Sequence, residues 1–352
     1  MDSKTTKKIL IAPLNWGLGH ATRCIPIVNA LIQNKYEPII ASDGEALTLL
    51  RKEFPRQKHF ELPSYNITYS KKGSNFKRKL IKDSPHLLKT IKNEKKAIKE
   101  FVESENISGI ISDNRFGVRH KDVPSVFITH QLKVLSGNTT WLSTKLHQKI
   151  ISKFDECWVP DHGGENNLSG ALGHCKFDKI NVKYIGPLSR FNNTYHKPTF
   201  NLMVLLSGPE PQRTYLENKL LKDLESYTGK VIFVRGKFEA QQQKDVQNNI
   251  TIYNYMTSGE LEDAINKSDL VLSRSGYTTI MDLAKLQKRA FFIPTPGQFE
   301  QEYLAKILYA KGITPYSHQD NFKIEMLNTV SDFTGFKTDA FEINYRKLFS
   351  LF

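Results

Sequence analysis

The chain has 352 residues, 50 of them Lys or Arg against 36 Asp or Glu, for a net charge of +14; that is enough chain for two domains of roughly 150 residues, each with its own core. With 39% hydrophobic and 24% charged residues, and no apolar run long enough to cross a bilayer as a helix, it excludes disordered, fibrous and membrane-spanning classes. Cys24, Cys157 and Cys175 are odd in number and lack metal-type spacing, which argues against a disulfide framework or a zinc site and for a reducing cytoplasm. No targeting segment is expected at the polar N-terminus. The positive charge asks for anionic partners: phosphate-bearing substrates, acidic lipids or nucleic acid.

Short runs of apolar and β-branched residues predict buried strands at 8–13, 38–42, 109–112, 125–129, 156–159 and 183–185, then at 202–206, 231–234, 250–253, 270–272 and 290–293. Longer amphipathic segments separate them, so the fold class is α/β with parallel sheets, and each half opens on an apolar strand followed by a glycine turn. Two Rossmann-like domains are expected, 1–190 and 200–352, joined by a polar, proline-bearing linker at 191–199. Between Lys71 and Glu100, eleven basic residues stand against three acidic ones. Residues 64–85 are expected to form a mobile loop, followed by a helix from about Pro85 to Ser104. Leu87, Leu88, Ile91, Ile98, Phe101 and Val102 would be its apolar stripe, with the lysines opposite. The last segment, 341–352, either returns to the first domain or lies on a membrane.

Three stretches carry chemistry. Asn15-Trp16-Gly17-Leu18-Gly19-His20-Ala21-Thr22-Arg23 follows the first strand. Gly17 and Gly19 permit close backbone approach, and a helix beyond them offers unpaired N–H groups to an anion; a tight turn with capping residues is the other reading. Pro26 limits how early that helix begins. His20 puts a titratable imidazole at the carboxyl end of a central strand, where α/β sheets bind ligands; a structural histidine is the alternative. Asp113, in Ser112-Asp113-Asn114-Arg115, ends another such strand and is either a second candidate base or half of a turn-forming Asp-Asn pair.

The second stretch, Ser273-Arg274-Ser275-Gly276-Tyr277-Thr278, leads from a strand into a helix whose N-terminus suits a diphosphate. Asp282, one to two turns in, is placed to accept from two adjacent sugar hydroxyls, or is a solvated first-turn acid. The third, Pro294-Thr295-Pro296-Gly297-Gln298-Phe299-Glu300-Gln301-Glu302, stops a strand, launches another helix and gathers carboxylates and amides suited to hydroxyl recognition.

Ser273 through Asp282, with Gln301-Glu302-Tyr303 about nineteen residues later, resembles the donor-site signature of GT-B glycosyltransferases of family 28. These include the MurG-like N-acetylglucosaminyltransferases and, more distantly, the UDP-glucuronosyltransferase type. The glycine turn ending in His20 is similar to that family's N-terminal loop, with Gly17 and Gly19 on the acceptor side. The resemblance implies a GT-B fold, two Rossmann-like domains whose parallel sheets face each other across a cleft. It further implies that Asp282 holds the ribose hydroxyls, that Arg274, Ser275, Gly276 and Thr278 surround the diphosphate, and that Gln301 and Glu302 contact the transferred sugar. By the same resemblance Arg190 lies near the phosphates, and main-chain groups around Met256 and Thr257 read the base. Two positions depart from the pattern: Leu18 replaces a usual glycine, and Glu210 in Ser207-Gly208-Pro209-Glu210-Pro211 would repel phosphate.

The expected function is therefore a metal-independent, inverting transfer of a hexose, N-acetylglucosamine among the candidates. The donor is a nucleotide sugar, UDP-linked by preference, and the acceptor a hydroxyl on a lipid or glycan. His20 is the first candidate base and Asp113 the second. No cofactor, no metal and no nucleic acid is expected. The lysines of 71–99, with Phe76, Leu80, Leu87 and Leu88, would press the first domain onto anionic lipid at the inner face of the membrane, or form a solvated face. A sugar-nucleotide 2-epimerase of the same fold is the alternative enzyme. A basic nucleic-acid- or membrane-binding protein is the alternative outside catalysis, with no helix-turn-helix, zinc-finger or aromatic RNP-type motif beside the charge.

Overall fold

The computed structural model describes residues 6–65, 76–237, 239–337 and 342–352. They fall into two units, one made of 6–65, 76–188 and 342–352, the other of 189–237 and 239–337. In the first, the strands β1 (Lys8–Pro13), β2 (Glu37–Ser42), β3 (Lys58–Glu61), β4 (Ile107–Asp113), β5 (Ser125–Ile128), β6 (Glu156–Val159) and β7 (Asn181–Tyr184) form one sheet. Its order is β3-β2-β1-β4-β5-β6-β7, with every pair parallel. The helices α1 (Gly19–Gln33), α2 (Gly44–Glu53), α3 (Phe76–Glu105) and α4 (Thr140–Ile151) lie along the crossovers. The strand order reverses between β1 and β4, so the crevice beyond their carboxyl ends is where such a sheet binds ligands. Pro13 and Asp113, the last residues of these two strands, are register partners.

The second unit repeats the plan. Its strands β8 (Phe200–Leu205), β9 (Val231–Val234), β10 (Lys244–Gln247), β11 (Ile250–Tyr253), β12 (Ser268–Ser273) and β13 (Arg289–Phe292) run in the order β10-β11-β9-β8-β12-β13. Only β10 is antiparallel to its neighbour. The helices are α5 (Gln212–Asp223), α6 (Ser258–Asn266), α7 (Tyr277–Lys285) and α8 (Phe299–Ala310). Here the order reverses between β8 and β12, and Leu205 pairs with Ser273 at their carboxyl ends. Both sheets bury aliphatic and aromatic side chains of the central strands, Leu10, Ile39 and Ile110 in one unit, Leu202, Val204 and Phe233 in the other. That is why those strands read as continuous apolar runs.

Two strands had no such run. β3 (KHFE) and β10 (KDVQ) each form one edge of their sheet and bury no residue fully, β10 being exposed along its whole length, so neither needs an apolar signature. Two helix starts also differ from expectation. α3 begins at Phe76 rather than near Pro85, which sits inside it; residues 66–75 of the expected loop lie outside the described residues. α1 begins at Gly19 with Pro26 in its interior. The cost of an interior proline, about 3 kcal/mol, is offset by a helix face buried at Ala21, Cys24, Ile25, Ile27, Val28 and Leu31.

On α3, Ile98, Phe101 and Val102 are buried and Lys89, Lys92, Lys95, Lys96 and Lys99 are exposed, as the stripe requires, but Leu88 is exposed as well. The gap in the stripe is filled by a buried acid, Glu94. The C-terminal segment, with the short helix α9 (Tyr345–Leu348), belongs to the first unit and not to a second domain ending at 352. Phe352 packs on Gly109 of β4 so closely that a Cβ at 109 would lie 2.3 Å from its ring, and both Phe349 and Phe352 lie against Trp158. The division between units falls at Leu188 and Ser189. The polar stretch 191–199 is tied to the second unit through Asn192, whose N–H donates to Glu262 at 2.9 Å and whose carbonyl accepts from Asn266 at 3.0 Å. Among the described residues no helix is long and apolar enough to cross a membrane.

Candidate active site

At the switch point of the first sheet, β1 leads into a turn in which Gly17 has φ +73°, the left-handed conformation that favours glycine. The chain then enters α1, which presents His20 in its first turn. Asp113 ends β4 beside it, fully buried. His20 Nδ1 lies 2.8 Å from Asp113 Oδ1. Arg23, one turn further along α1, donates through Nε to Asp113 Oδ2 at 2.5 Å and through Nη2 to Oδ1. Arg23 Nη2 also lies 2.9 Å from His20 Nδ1, and Nη1 lies 3.2 Å from Nδ1 of His130, which follows β5. Cys24 Sγ closes the cluster at 3.6 Å from Asp113 Oδ2.

The electrostatics separate two roles that the residue types left open. Burial alone would raise the Asp113 carboxyl, but Arg23 and His20 overcome it and hold Asp113 well below the usual carboxylate range. Fully buried, ionised and saturated with donors, Asp113 is the anchor of His20 and not a second base. The turn belongs to Asn114, with φ +58°. Burial and the Arg23 charge lower His20 from 6.5, partly opposed by Asp113, and a helix N-terminus acts in the same direction. His20 is thus a neutral imidazole at pH 7. Its Nε2 has no hydrogen-bond partner among the described residues.

A second buried network braces the same sheet edge. Arg115 donates to Asp43 at 2.6 Å, to Glu94 at 2.7 Å and to the Pro63 carbonyl at 2.6 Å. Glu94 accepts from the Tyr65 hydroxyl and from the Gly117 N–H. One acid of the lysine-rich helix thus fastens that helix to the loop after β4, and every arm of Arg115 is occupied.

In the second unit the switch point is lined by Ser273-Arg274-Ser275-Gly276 and the start of α7. Gly276 is the N-cap with φ −70°, and a Cβ there would meet nothing within 4 Å. Neither backbone strain nor packing within the chain demands glycine at this position. Ser275 Oγ donates to the Gln301 carbonyl at 2.8 Å, which joins the starts of α7 and α8. Thr278 is half-buried in the first turn of α7.

Asp282, half-buried on α7, accepts from Ser189 Oγ at 2.6 Å through Oδ1, and its other oxygen has no hydrogen-bond partner among the described residues. Burial raises its carboxyl to about 6 against the opposing pull of Arg190 and Ser189. The solvated-acid reading therefore does not hold, and Arg190 is brought near Asp282.

Arg274 is placed differently from expectation. It is 1% exposed, and its guanidinium donates to the carbonyls of Ile293, Pro294 and Gln212 and to Gln319 Oε1. Burial lowers it to about 10, so it stays charged. It clamps the loop after β13 to the start of α5 through both terminal nitrogens, each of which already makes two hydrogen bonds. Glu210 likewise does not stand as a free negative charge, because Arg213 pairs with it.

Gln301 accepts from Thr295 N–H at 2.8 Å and donates to Gln298 at 2.6 Å, and Glu302 accepts from Gly297 N–H at 2.9 Å. Both side chains organise the loop that starts α8. Thr257 forms a capping box with Glu260 at the start of α6, and Met256 beside it is half-buried. Met256 and Thr257 follow β11, Arg274 to Thr278 follow β12, and Gln301 and Glu302 follow β13, all at the carboxyl edge of one parallel sheet.

Sequence reasoning missed His130, Ser189 and Asn254, and it gave no role of their own to Arg23 and Thr295, which lay within stretches it singled out. Asn254, 3% exposed, ties Glu239 and the Gln241 carbonyl to the turn ahead of Met256. Thr295 Oγ1 is buried without a partner among the described residues and is the one atom, at 3.9 Å, that a Cβ on Gly208 would meet. Only Arg23 left a sequence signal, three residues after a glycine-flanked histidine.

Residues 213–340 match the glycosyltransferase family 28 C-terminal domain. A curated relative, the UDP-N-acetylglucosamine--N-acetylmuramyl-(pentapeptide) pyrophosphoryl-undecaprenol N-acetylglucosamine transferase of Haemophilus ducreyi, is 24% identical over 207 residues, 57% of this chain and 55% of its own. The chain thus spans about half the length of the curated relatives it matches first. Among solved structures, the glycotransferase of kitacinnamycin superposes with a TM-score of 0.64 at 11% identity, over 92% of this chain and 89% of its own. Acinetobacter baumannii MurG superposes with a TM-score of 0.54 at 15% identity, over 93% and 90%. At such identities the likeness is one of fold.

Proposed function

We propose, from the match of residues 213–340 to the glycosyltransferase family 28 C-terminal domain and from the GT-B fold, a metal-independent, inverting transfer of a hexose from a nucleotide sugar to a hydroxyl acceptor. The donor is UDP-linked and N-acetylglucosamine is the first sugar to test, by likeness to the Haemophilus ducreyi enzyme; the acceptor is lipid- or glycan-linked.

The observation that carries this reading is the Asp282 carboxylate. One oxygen is fixed by Ser189 and the other has no hydrogen-bond partner among the described residues, at the carboxyl edge of a parallel sheet and on the same helix whose N-terminus Gly276 caps. Such a carboxylate accepts from vicinal ribose hydroxyls. From β11 to β12 is three strand spacings, roughly 14 Å, a length suited to an extended nucleoside diphosphate with its base near Met256 and its phosphates at Gly276. The uncrowded Cα of Gly276 allows a phosphate to approach the N–H groups of α7, and the unpartnered hydroxyl of Thr295 lies at the same edge. Arg190 adds a cation near the diphosphate.

In the reaction, His20 Nε2 takes the proton of the acceptor hydroxyl as its oxygen attacks the anomeric carbon. The bond from that carbon to the diphosphate oxygen breaks with inversion. The charge that develops on the leaving diphosphate is met by the α7 N-terminus and Arg190, fixed dipoles and charge that need no reorganisation.

Peripheral contact with an anionic bilayer is part of the reading. Phe76, Leu80 and the lysines at 71–82 lie outside the residues whose side chains are described, and Leu87 is half-buried. The support comes instead from α4, where Trp141 (67% exposed), Leu142 and Leu146 share one helix face with Lys145 and Lys149.

The test is a thermal-shift screen of the full chain against UDP-, dTDP- and GDP-sugars, followed by assay for released nucleoside diphosphate with lipid-linked and free glycan acceptors. Stabilisation by a UDP-sugar that is lost in Asp282→Ala is expected. If no nucleotide sugar binds, the reading fails. A 2-epimerase would return an isomerised, intact nucleotide sugar.

A further inference from the structure

We propose that Arg23 is a positioning residue that assigns opposite tautomers to the two histidines of the first sheet's edge, leaving His20 an acceptor at Nε2 and His130 an N–H donor at Nε2. A guanidinium carries N–H groups and no lone pair, and it is charged at every working pH. Its Nη1 lies 3.2 Å from His130 Nδ1, so that nitrogen accepts, and the ring proton of His130 sits on Nε2.

The same guanidinium grips both oxygens of Asp113, which keeps the carboxylate ionised and therefore an acceptor only. His20 Nδ1, 2.8 Å from Asp113 Oδ1, must then carry the hydrogen. The opposite assignment would press an imidazole lone pair against a carboxylate lone pair at that distance. The 2.9 Å approach of Arg23 Nη2 to His20 Nδ1 is thus the contact of two donors that share one oxygen, and the lone pair of His20 is on Nε2.

Three groups act on His20. Asp113 and Arg23 touch it directly, His130 acts on it through space, and Cys24 sits against the far oxygen of Asp113. His147 of α4 stands near His130 and is itself lowered to about 4 by burial and by that neighbour. One Arg–Asp pair thus reaches both rings, Asp113 at His20 and Arg23 at His130.

The catalytic consequence rests on the proposed transfer: it makes His20 the base of that reaction and excludes His130 as an alternative base. The tautomers themselves do not depend on it.

The decisive measurement is a long-range proton–nitrogen correlation of the imidazoles in the 15N-histidine-labelled full chain between pH 6 and 8, assigned with His20→Gln and His130→Gln. The expected pattern is His20 protonated at Nδ1 and bare at Nε2, and His130 the reverse. Either ring in the opposite form overturns the proposal, whatever the enzyme transfers. Arg23→Gln should blend the tautomers of His130 and move the His20 titration upward, because the cation is lost while Asp113 remains. Unchanged tautomers and titration in that variant would also overturn it. Should Arg23→Gln fail to fold, Arg23→Lys, which keeps the charge and loses the fork, gives the same reading on His130. With a nucleotide sugar as donor, Arg23→Lys is expected to lower kcat about 100-fold with donor KM within about twofold. Correct tautomers in a chain that transfers nothing would sink the function and leave this inference standing.

Discussion

Ser189 Oγ donates to Asp282 Oδ1 at 2.6 Å across 93 residues of sequence. Ser189 opens the long C-terminal run of the second unit, which is thus fastened at its start to the carboxylate proposed to hold the donor. The bond orients Asp282 and favours its ionised form, against the burial that raises it to about 6.

Donor binding should therefore weaken as pH falls through about 6, where Asp282 takes up a proton, rather than near 4. Ser189→Ala removes a hydrogen bond to the charged form and moves Asp282 higher still. Its donor affinity should be several-fold poorer than wild type at pH 6.5 and converge with it near pH 8. Calorimetric titration with a UDP-sugar across that range checks this, and parallel curves for the two proteins would refute it.

The same shift has a stability side. With its pKa raised in the folded state, Asp282 binds more proton folded than unfolded between about 3.8 and 6, so stability falls as pH rises through that window and the whole penalty is present above it. Asp282→Asn should raise the melting temperature at pH 7.5, leave it unchanged near pH 4 and abolish donor binding. A variant less stable than wild type at pH 7.5 would contradict the shift.

For His20 the sign is reversed. Burial and Arg23 lower it, so the acid limb of kcat/KM should fall below pH 6.5. His20→Ala should lower kcat by about 10²- to 10⁴-fold with donor KM nearly unchanged. An acid limb at or above 6.5, or an active His20→Ala, would remove His20 as base.

Arg274 and Gly276 are separated by one residue and should respond in opposite ways. Arg274→Met strips three carbonyls and an amide of their donor and should cost several kcal/mol in urea unfolding. Gly276→Val meets no protein atom within 4 Å of its Cβ. It should leave stability within about 0.5 kcal/mol while raising donor KM at least tenfold. The reverse pair of results would return Arg274 to the diphosphate.

On α4, Trp141→Ala with Leu146→Ala removes exposed apolar area and should leave the melting temperature unchanged while lowering partition onto phosphatidylserine vesicles by tenfold or more. Lys145→Gln with Lys149→Gln should reduce the dependence on anionic lipid by about 1 kcal/mol per charge at low salt. Binding that ignores both pairs would place any membrane contact elsewhere.

What could be read in advance follows from what each residue answers to. The central strands and the turns after them were legible because a strand buried on both faces has one solution, a short β-branched run ended by a turn residue. β3 and β10, edge strands with no fully buried residue, have no such constraint and left no mark. Pro26 misled because propensity counts a lost hydrogen bond and not the buried face that compensates it. His20 and Asp282 were visible as polar residues beyond apolar strands, but their partners were not.

By itself, then, the sequence determined the α/β class, two successive sheets and the residues at their carboxyl edges, since periodicity and turn chemistry are local. Only tertiary structure decided that Asp113 is an anchor and not a base, that Arg274 is a clamp, and that Ser189 answers Asp282. Those roles depend on burial and on the lone pair or proton a residue meets from a distant part of the chain, and neither quantity is written in the residue's own neighbourhood.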